Sequence, residues 1–258
     1  MMTRYRAALD DKQLDALAAG IIITDIAYTS PAPQIVSSAL AGRNGMRVQG
    51  KTYGVSGVKI EFEIHEQDVK RRQDVCKKIQ GWAIDGGWLT TNDKTGLRLR
   101  VVCSELPEIR SALRWTERLS VAFTAYENPM WEEIYPTKVT ANKNGEGVHL
   151  FVGGTAEETL VDVVLENTGE APITNVSVYA GESVIELENL SLQPGEKVEI
   201  GHGYSDIICM YAGDVSCLAN RTAESADDLV IKCRKRSAVG FTCDGTARAT
   251  FTTRGRYV

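Results

Sequence analysis

Histidine is scarce in this 258-residue chain, and the three present, His65, His149 and His202, lie too far apart to supply neighbouring metal ligands. No C-x-x-C pair occurs among the six cysteines, Cys76, Cys103, Cys209, Cys217, Cys233 and Cys243. Structural zinc sites bring two ligands within a few residues of each other, so this spacing argues for buried or half-buried thiols instead. The chain also lacks G-x-x-x-x-G-K-[ST], G-x-S-x-G and H-E-x-x-H, which removes the common signatures of phosphate cradles, nucleophile elbows and zinc hydrolases. No apolar run approaches the roughly 20 residues of a membrane-spanning helix. The opening Met1–Arg6 is not followed by the apolar stretch of a secretory signal. These absences lead us to expect no enzyme, no cofactor, no metal and no membrane, with synthesis and folding in the cytosol.

What is present is an ordinary globular composition, 43% hydrophobic and 24% charged, with an uneven charge distribution. Residues 1–139 carry 19 Lys+Arg and 17 Asp+Glu, whereas residues 140–258 carry 10 and 17. The first half is near neutral and the second acidic, so neither shows the concentrated basic surface of a nucleic-acid binder. The shift in balance marks a domain boundary at 139/140, with the polar stretch 137–147 as linker.

The most regular signal is Val58–His65. Val58, Ile60, Phe62 and Ile64 fall on one face, and Lys59, Glu61, Glu63 and His65 on the other. Period two with alternate charges predicts a strand with one dry face. It runs into a basic amphipathic segment, 66–85, in which Val69, Val75, Cys76, Ile79, Trp82 and Ala83 recur at helical spacing and Gly86-Gly87 forms a stop. This helix is expected on the dry face of the sheet. Further strands are predicted at 21–24, 87–91, 97–103 and 119–125. The segment around Asp10-Asp11 reads equally as a helix start or a hairpin turn. Beyond residue 147, strands at 148–152, 159–166, 176–179, 184–188, 197–200, 207–211, 229–233 and 247–253 alternate with turns such as Asn167-Thr168-Gly169, the rhythm of a β-sandwich or jelly roll. The fold class expected is mainly β (α+β): an N-terminal β-sandwich or split-barrel-like domain, 1–139, with one helix, then a C-terminal β-sandwich, 140–258.

Candidate sites are few. The same-face pairs Glu61/Glu63 and Glu186/Glu188 satisfy a two-carboxylate template, but alternation with apolar neighbours explains them as the wet side of sheets. The run Lys70-Arg71-Arg72 with Lys77-Lys78 reads as a solvated helix face. All four tryptophans, Trp82, Trp88, Trp115 and Trp131, fall in the first half. Trp82 is assigned to the core, and Trp88 and Trp131, with Phe123 and Tyr126 at the end of the 119–125 strand, are taken as interface candidates.

In combination, several stretches resemble the distal tail proteins of long, flexible-tailed bacteriophages, the siphovirus tail-component family. They are Gly42-Arg43-Asn44-Gly45-Met46 leading through Tyr53 to the 58–64 strand, the helix with Trp82 followed by Trp88-Leu89, and Val121–Tyr126 running to Pro129-Met130-Trp131. Leu192–Ile200 and the terminal Arg254-Gly255-Arg256-Tyr257-Val258 complete the pattern. The resemblance implies a homo-hexameric ring formed by the first domain and a galectin-like second domain projecting outward. It implies tail tube, tail-tip, tape-measure and receptor-binding proteins as partners, and DNA passing through the lumen without specific binding. It places the protein in the virion tail tip after assembly in the host cytoplasm, in an active phage or a prophage. Within that reading, strands 117–126 or 57–65 are expected to pair across subunits. The chain carries no long insertion, and Val161–Gly169 is also similar to a strand and turn of immunoglobulin-like adhesion modules. A carbohydrate-binding or adhesion β-sandwich is therefore the alternative function.

Overall fold

The computed structural model describes residues 5–39, 44, 46–107, 118–203 and 206–258. Gly42, Arg43, Gly45 and Trp115 lie outside the described residues. The fold is mainly β with one α-helix, and the chain divides into two compact units, Met1–Trp131 and Glu132–Tyr257.

The first unit contains β1 (Ala7–Leu9), β2 (Lys12–Gln13), β3 (Ile21–Thr29), β4 (Pro33–Ala39), β5 (Met46–Tyr53), β6 (Ser56–Ile64), α1 (Val69–Ala83), β7 (Gly87–Thr91), β8 (Leu97–Glu105) and β9 (Arg118–Ala125). Its main sheet runs β2-β1-β7-β8-β9-β6-β3, and β4 and β5 form a separate two-stranded ribbon. Register places Phe62 opposite Ile23 on one side and Leu119 on the other, with Ile60 opposite Ile26 and Val121. The alternation of β6 thus extends across three strands as one apolar face. Fully burying a side chain such as Phe62 or Phe123 contributes about 1.5–3 kcal/mol. Asp10 and Asp11 settle the ambiguous N-terminal segment as a hairpin: both adopt positive φ (45° and 67°), the geometry of a two-residue turn that matches strand twist. The Asp10 carboxylate accepts the Trp88 amide at 2.9 Å and so ties the turn to β7.

The helix is shorter than the expected 66–85. Asp68 ends the extended segment, and its carboxylate accepts the Arg71 amide at 2.8 Å as an N-cap. At the far end, Gly86 has φ +66°, and a Cβ there would stand 2.2 Å from the Val101 carbonyl oxygen, so only glycine fits. Val75, Cys76, Ile79, Trp82 and Ala83 are buried as expected. Trp82 meets Phe123 edge-on at 5.8 Å and donates its indole N–H to the Lys12 carbonyl at 2.8 Å. Two assignments are corrected. Val69 is exposed, because it occupies the first helical position, beyond the covering sheet. Arg72 is buried, and its guanidinium donates to the Glu66 and Gln67 carbonyls in the strand-to-helix corner. The periodicity counted its charge and missed the reach of its stem.

The second unit begins within β10 (Trp131–Glu133) and continues through β11 (Thr137–Ala141), β12 (Gly147–Phe151), β13 (Glu158–Asn167), β14 (Val176–Ala180), β15 (Ser183–Leu187), β16 (Lys197–His202) and β17 (Ile208–Ala212). It ends with β18 (Val215–Ser216), β19 (Val230–Lys232), β20 (Arg236–Cys243), β21 (Ala247–Thr253) and β22 (Arg256–Tyr257). One sheet runs β11-β21-β13-β16-β17-β18 and the other β12-β20-β14-β15. Val161, Val163 and Leu165 of the first sheet and Val178, Phe241 and Ile185 of the second are fully buried, as the two inner faces of a sandwich require. The stretch 137–147 is not a linker. It forms β11, a turn in which the Glu146 carboxylate accepts the Asn142 and Lys143 amides, and the first residue of β12. Its polar residues are the wet side of a strand paired with β21, and the unit boundary falls earlier, between Trp131 and Glu132.

The arginine-rich terminus has a local explanation. Arg254 donates to the Glu133 and Ile134 carbonyls, and Tyr257 donates to the Glu133 carboxylate at 3.0 Å. Arg256 pairs with Asp206 at 2.6 Å. Together these contacts fasten β22 beside β10. Among the described residues no disulfide forms: Cys76, Cys217 and Cys233 are buried, and Cys103, Cys209 and Cys243 half-buried. Among the same residues no helix is long and apolar enough to cross a membrane.

Candidate assembly surfaces

The structure separates the four aromatic interface candidates. Phe123 is 1% exposed and belongs to the core of the first unit, because it sits on the apolar parity of β9. Trp131 is buried against Tyr28 in an edge-on contact at 5.8 Å. The Lys94 ammonium lies 5.1 Å above the Trp131 ring and 4.9 Å above the Tyr28 ring. The Tyr28 hydroxyl donates to the Asp93 carboxylate at 2.6 Å. Burial first, and then this carboxylate, push its pKa up and keep it protonated. Trp88 is half-buried, with the Arg98 guanidinium stacked 3.9 Å from its ring centre and Arg100 at 5.8 Å. Tyr126 is 62% exposed. Of these four candidates, Tyr126 and the Trp88–arginine stack therefore present aromatic surface.

Strand pairing corrects the expected subunit contacts. β6 is hydrogen-bonded to β3 on one side and β9 on the other, and β9 to β6 and β8. β6 is thus enclosed on both sides, whereas β9 meets β8 only over Ala122–Thr124 among the described residues. At that end of the sheet the open edge belongs to β3, which among the described residues pairs only with β6. The other unexpected surface is the β4–β5 ribbon. Ile35, Val36, Met46 and Val48 on it are each more than half exposed. Two strands alone are marginally stable in water, and large exposed apolar side chains in such a ribbon mark an interaction surface. Arg47 and Lys51 make the ribbon basic, with no acidic residue in either strand. The signal was present in Ile35-Val36 and in Met46 alternating with Val48, but Pro31 and Pro33 broke the pattern before it was long enough to read.

The carboxylate pairs behave as surface groups. Glu61 is bridged to Arg118 at 3.2 Å and Lys59 at 3.8 Å, and Glu186 and Glu188 are exposed. His65 is exposed and lies 3.2 Å from Glu63. His202, in contrast, is drawn into the second unit, where its ring lies between the carboxylates of Asp162 and Asp228. Among the described residues no group of three or more His, Cys, Asp and Glu side chains forms a metal centre. Shallow clefts in the second unit, including one walled by Glu182, Ser183, Lys232 and Arg236 and one by Asn189, Arg221 and Glu224, are lined without an aromatic side chain. These clefts offer no flat ring on which a sugar stacks.

Fold and surfaces together define a two-unit β scaffold. The structure is similar, over its whole length, to the Dit (gp 19.1) protein of phage SPP1, described as a paradigm of the hub adsorption apparatus in phages infecting Gram-positive bacteria. The TM-score is 0.70, with 7% identity over 99% of this chain and 100% of that one. It is also similar to chains of the phage P2 baseplate in its activated conformation. The calcium form gives a TM-score of 0.50 at 10% identity, covering 99% and 98% of the two chains. The strontium form gives 0.50 at 10%, covering 97% of each. The chain thus has the fold of phage Dit hub and baseplate components. No protein-family model matches the sequence, and no curated protein does.

Proposed function

We propose that this protein is a structural distal tail protein of a long-tailed phage or prophage, six copies of which close into a ring joining the tail tube to the tail-tip apparatus. The observation that carries this reading is the end-to-end fold likeness to SPP1 Dit, which spans both units of this chain. The first unit, Met1–Trp131, is the ring-forming part, and the second, Glu132–Tyr257, is the outward galectin-like part that meets tail-tip or receptor-binding partners. A cyclic ring needs two different complementary surfaces on each subunit. The basic apolar β4–β5 ribbon and the open edge of β3 supply a matched pair: a projecting strand ribbon and an unpaired strand edge. Tyr126 and the Trp88–arginine stack are further contact candidates. DNA passes through the lumen without specific binding, consistent with the near-neutral first half.

The test is negative-stain imaging and light scattering of the concentrated full-length protein, alone and with its tail-tip partner. Six-fold annuli are expected, and duplex DNA at physiological salt should leave their sedimentation unchanged. A protein that stays monomeric under every condition, partner included, would overturn the ring.

A further inference from the structure

We propose that His202 and Asp228 in the second unit form a binding site for a divalent transition-metal ion, best matched by Zn²⁺, with Asp162 as positioning residue. The inference is independent of the ring. His202 ends β16, and its side chain is only 4% exposed. Its Nδ1 lies 2.9 Å from Asp162 Oδ1, and the same oxygen accepts the His202 backbone amide at 3.0 Å. The Asp162 carboxylate on Nδ1 holds the ring so that Nε2 faces Asp228. This is the arrangement that orients metal-binding imidazoles.

Nε2 is buried and makes no hydrogen bond. What faces it is Asp228 Oδ1, at 3.4 Å. That separation is long for an N–H···O bond. It is, however, the spacing of two donors on one tetrahedral zinc, since ligands at about 2.0–2.1 Å from the ion stand about 3.3–3.4 Å apart. Two carboxylates converge on one imidazole, so the site favours a bound cation. Asp228 is partly exposed and gives the ion a route from solvent, and water completes the coordination. The neighbouring Asp227 does not compete, because it pairs with Arg221 at 3.3 Å. With two side-chain ligands, against the three or four of zinc enzymes and fingers, the site is labile. The histidine sits 40 residues from Asp162 and 26 from Asp228 in the chain, which is why ligand spacing did not show it.

Calorimetric titration of the full-length protein with Zn²⁺ to about 0.1 mM, paired with thermal melts, tests this. We expect one saturable site per chain and a higher melting midpoint for the second unit. Asp228→Asn should weaken binding at least about tenfold and Asp162→Asn by about 10–100-fold, His202→Ala should abolish it, and His65→Ala should leave it unchanged. Co²⁺ in place of Zn²⁺ should give visible ligand-field bands without the intense near-ultraviolet absorption of a thiolate ligand. Absence of saturable binding, equal binding by Asp228→Asn, or a cobalt–thiolate spectrum would each overturn the assignment. The first of these would leave an imidazolium bridging two carboxylates as the occupant of the site. Should His202→Ala fail to fold, the partly exposed Asp228 decides the outcome.

Discussion

Asn167 is almost fully buried at the end of β13, yet each of its side-chain polar atoms is used. Its amide nitrogen donates to the Ala171 and Leu192 carbonyls at 2.9 Å each, and its oxygen accepts the Gly169 amide at 2.9 Å. The sequence marked Asn167-Thr168-Gly169 as a turn, but burial of the asparagine depends on a loop that arrives from residue 192 and has no local signature. Asn167→Ala removes three hydrogen bonds, of which the one to the buried Leu192 carbonyl leaves an oxygen that still accepts the Ile173 amide, and should destabilise the second unit by about 1–3 kcal/mol. Because all four tryptophans lie at or before residue 131, their fluorescence reports only the first unit. The urea midpoint by far-UV circular dichroism should fall while the fluorescence midpoint stays in place. Acid sensitivity is written at the same scale. The Thr174 hydroxyl first, with the Asn175 and Thr174 amides, holds the Asp244 carboxyl below its usual pKa, and the Arg71 amide does so for Asp68. A carboxylate with a lowered folded-state pKa stabilises the fold above its unfolded value, near 4, and the contribution is lost as pH falls through the folded value. Urea midpoints measured at pH 6 and pH 3 should therefore converge in Asp244→Asn for the dichroism transition and in Asp68→Asn for the fluorescence transition. Equal loss in wild type and variants would contradict both assignments.

At the scale of elements, the strands legible in the sequence are those with one wet face. β6, β9, β13 and β21 alternate buried and solvated residues along their whole length, and the helix announces itself by its period. β20 escaped because Gly240 interrupts its apolar positions where a side chain would ordinarily show. The glycine is there for space: a Cβ would stand 2.4 Å from the Tyr179 hydroxyl oxygen and 2.7 Å from the Glu146 carbonyl. Tyr179 on β14 lies directly opposite Gly240, so its ring fills the gap the glycine leaves. Gly240→Ala should lower the stability of the second unit by about 2–3 kcal/mol through overpacking. Adding Tyr179→Ala should restore only part of it, since the Glu146 backbone cannot move aside. A neutral Gly240→Ala in dichroism-monitored unfolding would show that the strand shifts to accommodate the methyl. β11 and the β4–β5 ribbon were missed for a different reason. The ribbon's apolar signal was cut short by prolines, and β11 is a short polar stretch whose strand character comes from its pairing with β21.

For the whole molecule, the mainly β, two-unit build was legible, and the sheet edges were not. Local alternation says which face of a strand is dry, but it carries no information on which strands lie at a sheet edge; β6 looked long enough to pair outward and is enclosed on both sides. The available edge and the projecting ribbon became visible only once the strand order was known. If the ribbon is the contact between subunits, charges placed on its exposed apolar positions should stop assembly while leaving each chain folded. Ile35 and Val48 make no core contact that their loss would break, so Ile35→Lys with Val48→Lys should change the stability of the first unit by no more than about 0.5 kcal/mol. Burying two ammonium groups in a subunit interface, in contrast, costs several kcal/mol per contact, repeated around the ring. The double variant should give monomers by light scattering with an unchanged tryptophan-fluorescence midpoint, whereas Phe151→Lys, at an equally exposed apolar position in the second unit, should still form annuli. Rings that persist in the double variant would move the subunit contact off the ribbon and onto the Trp88–arginine stack or Tyr126.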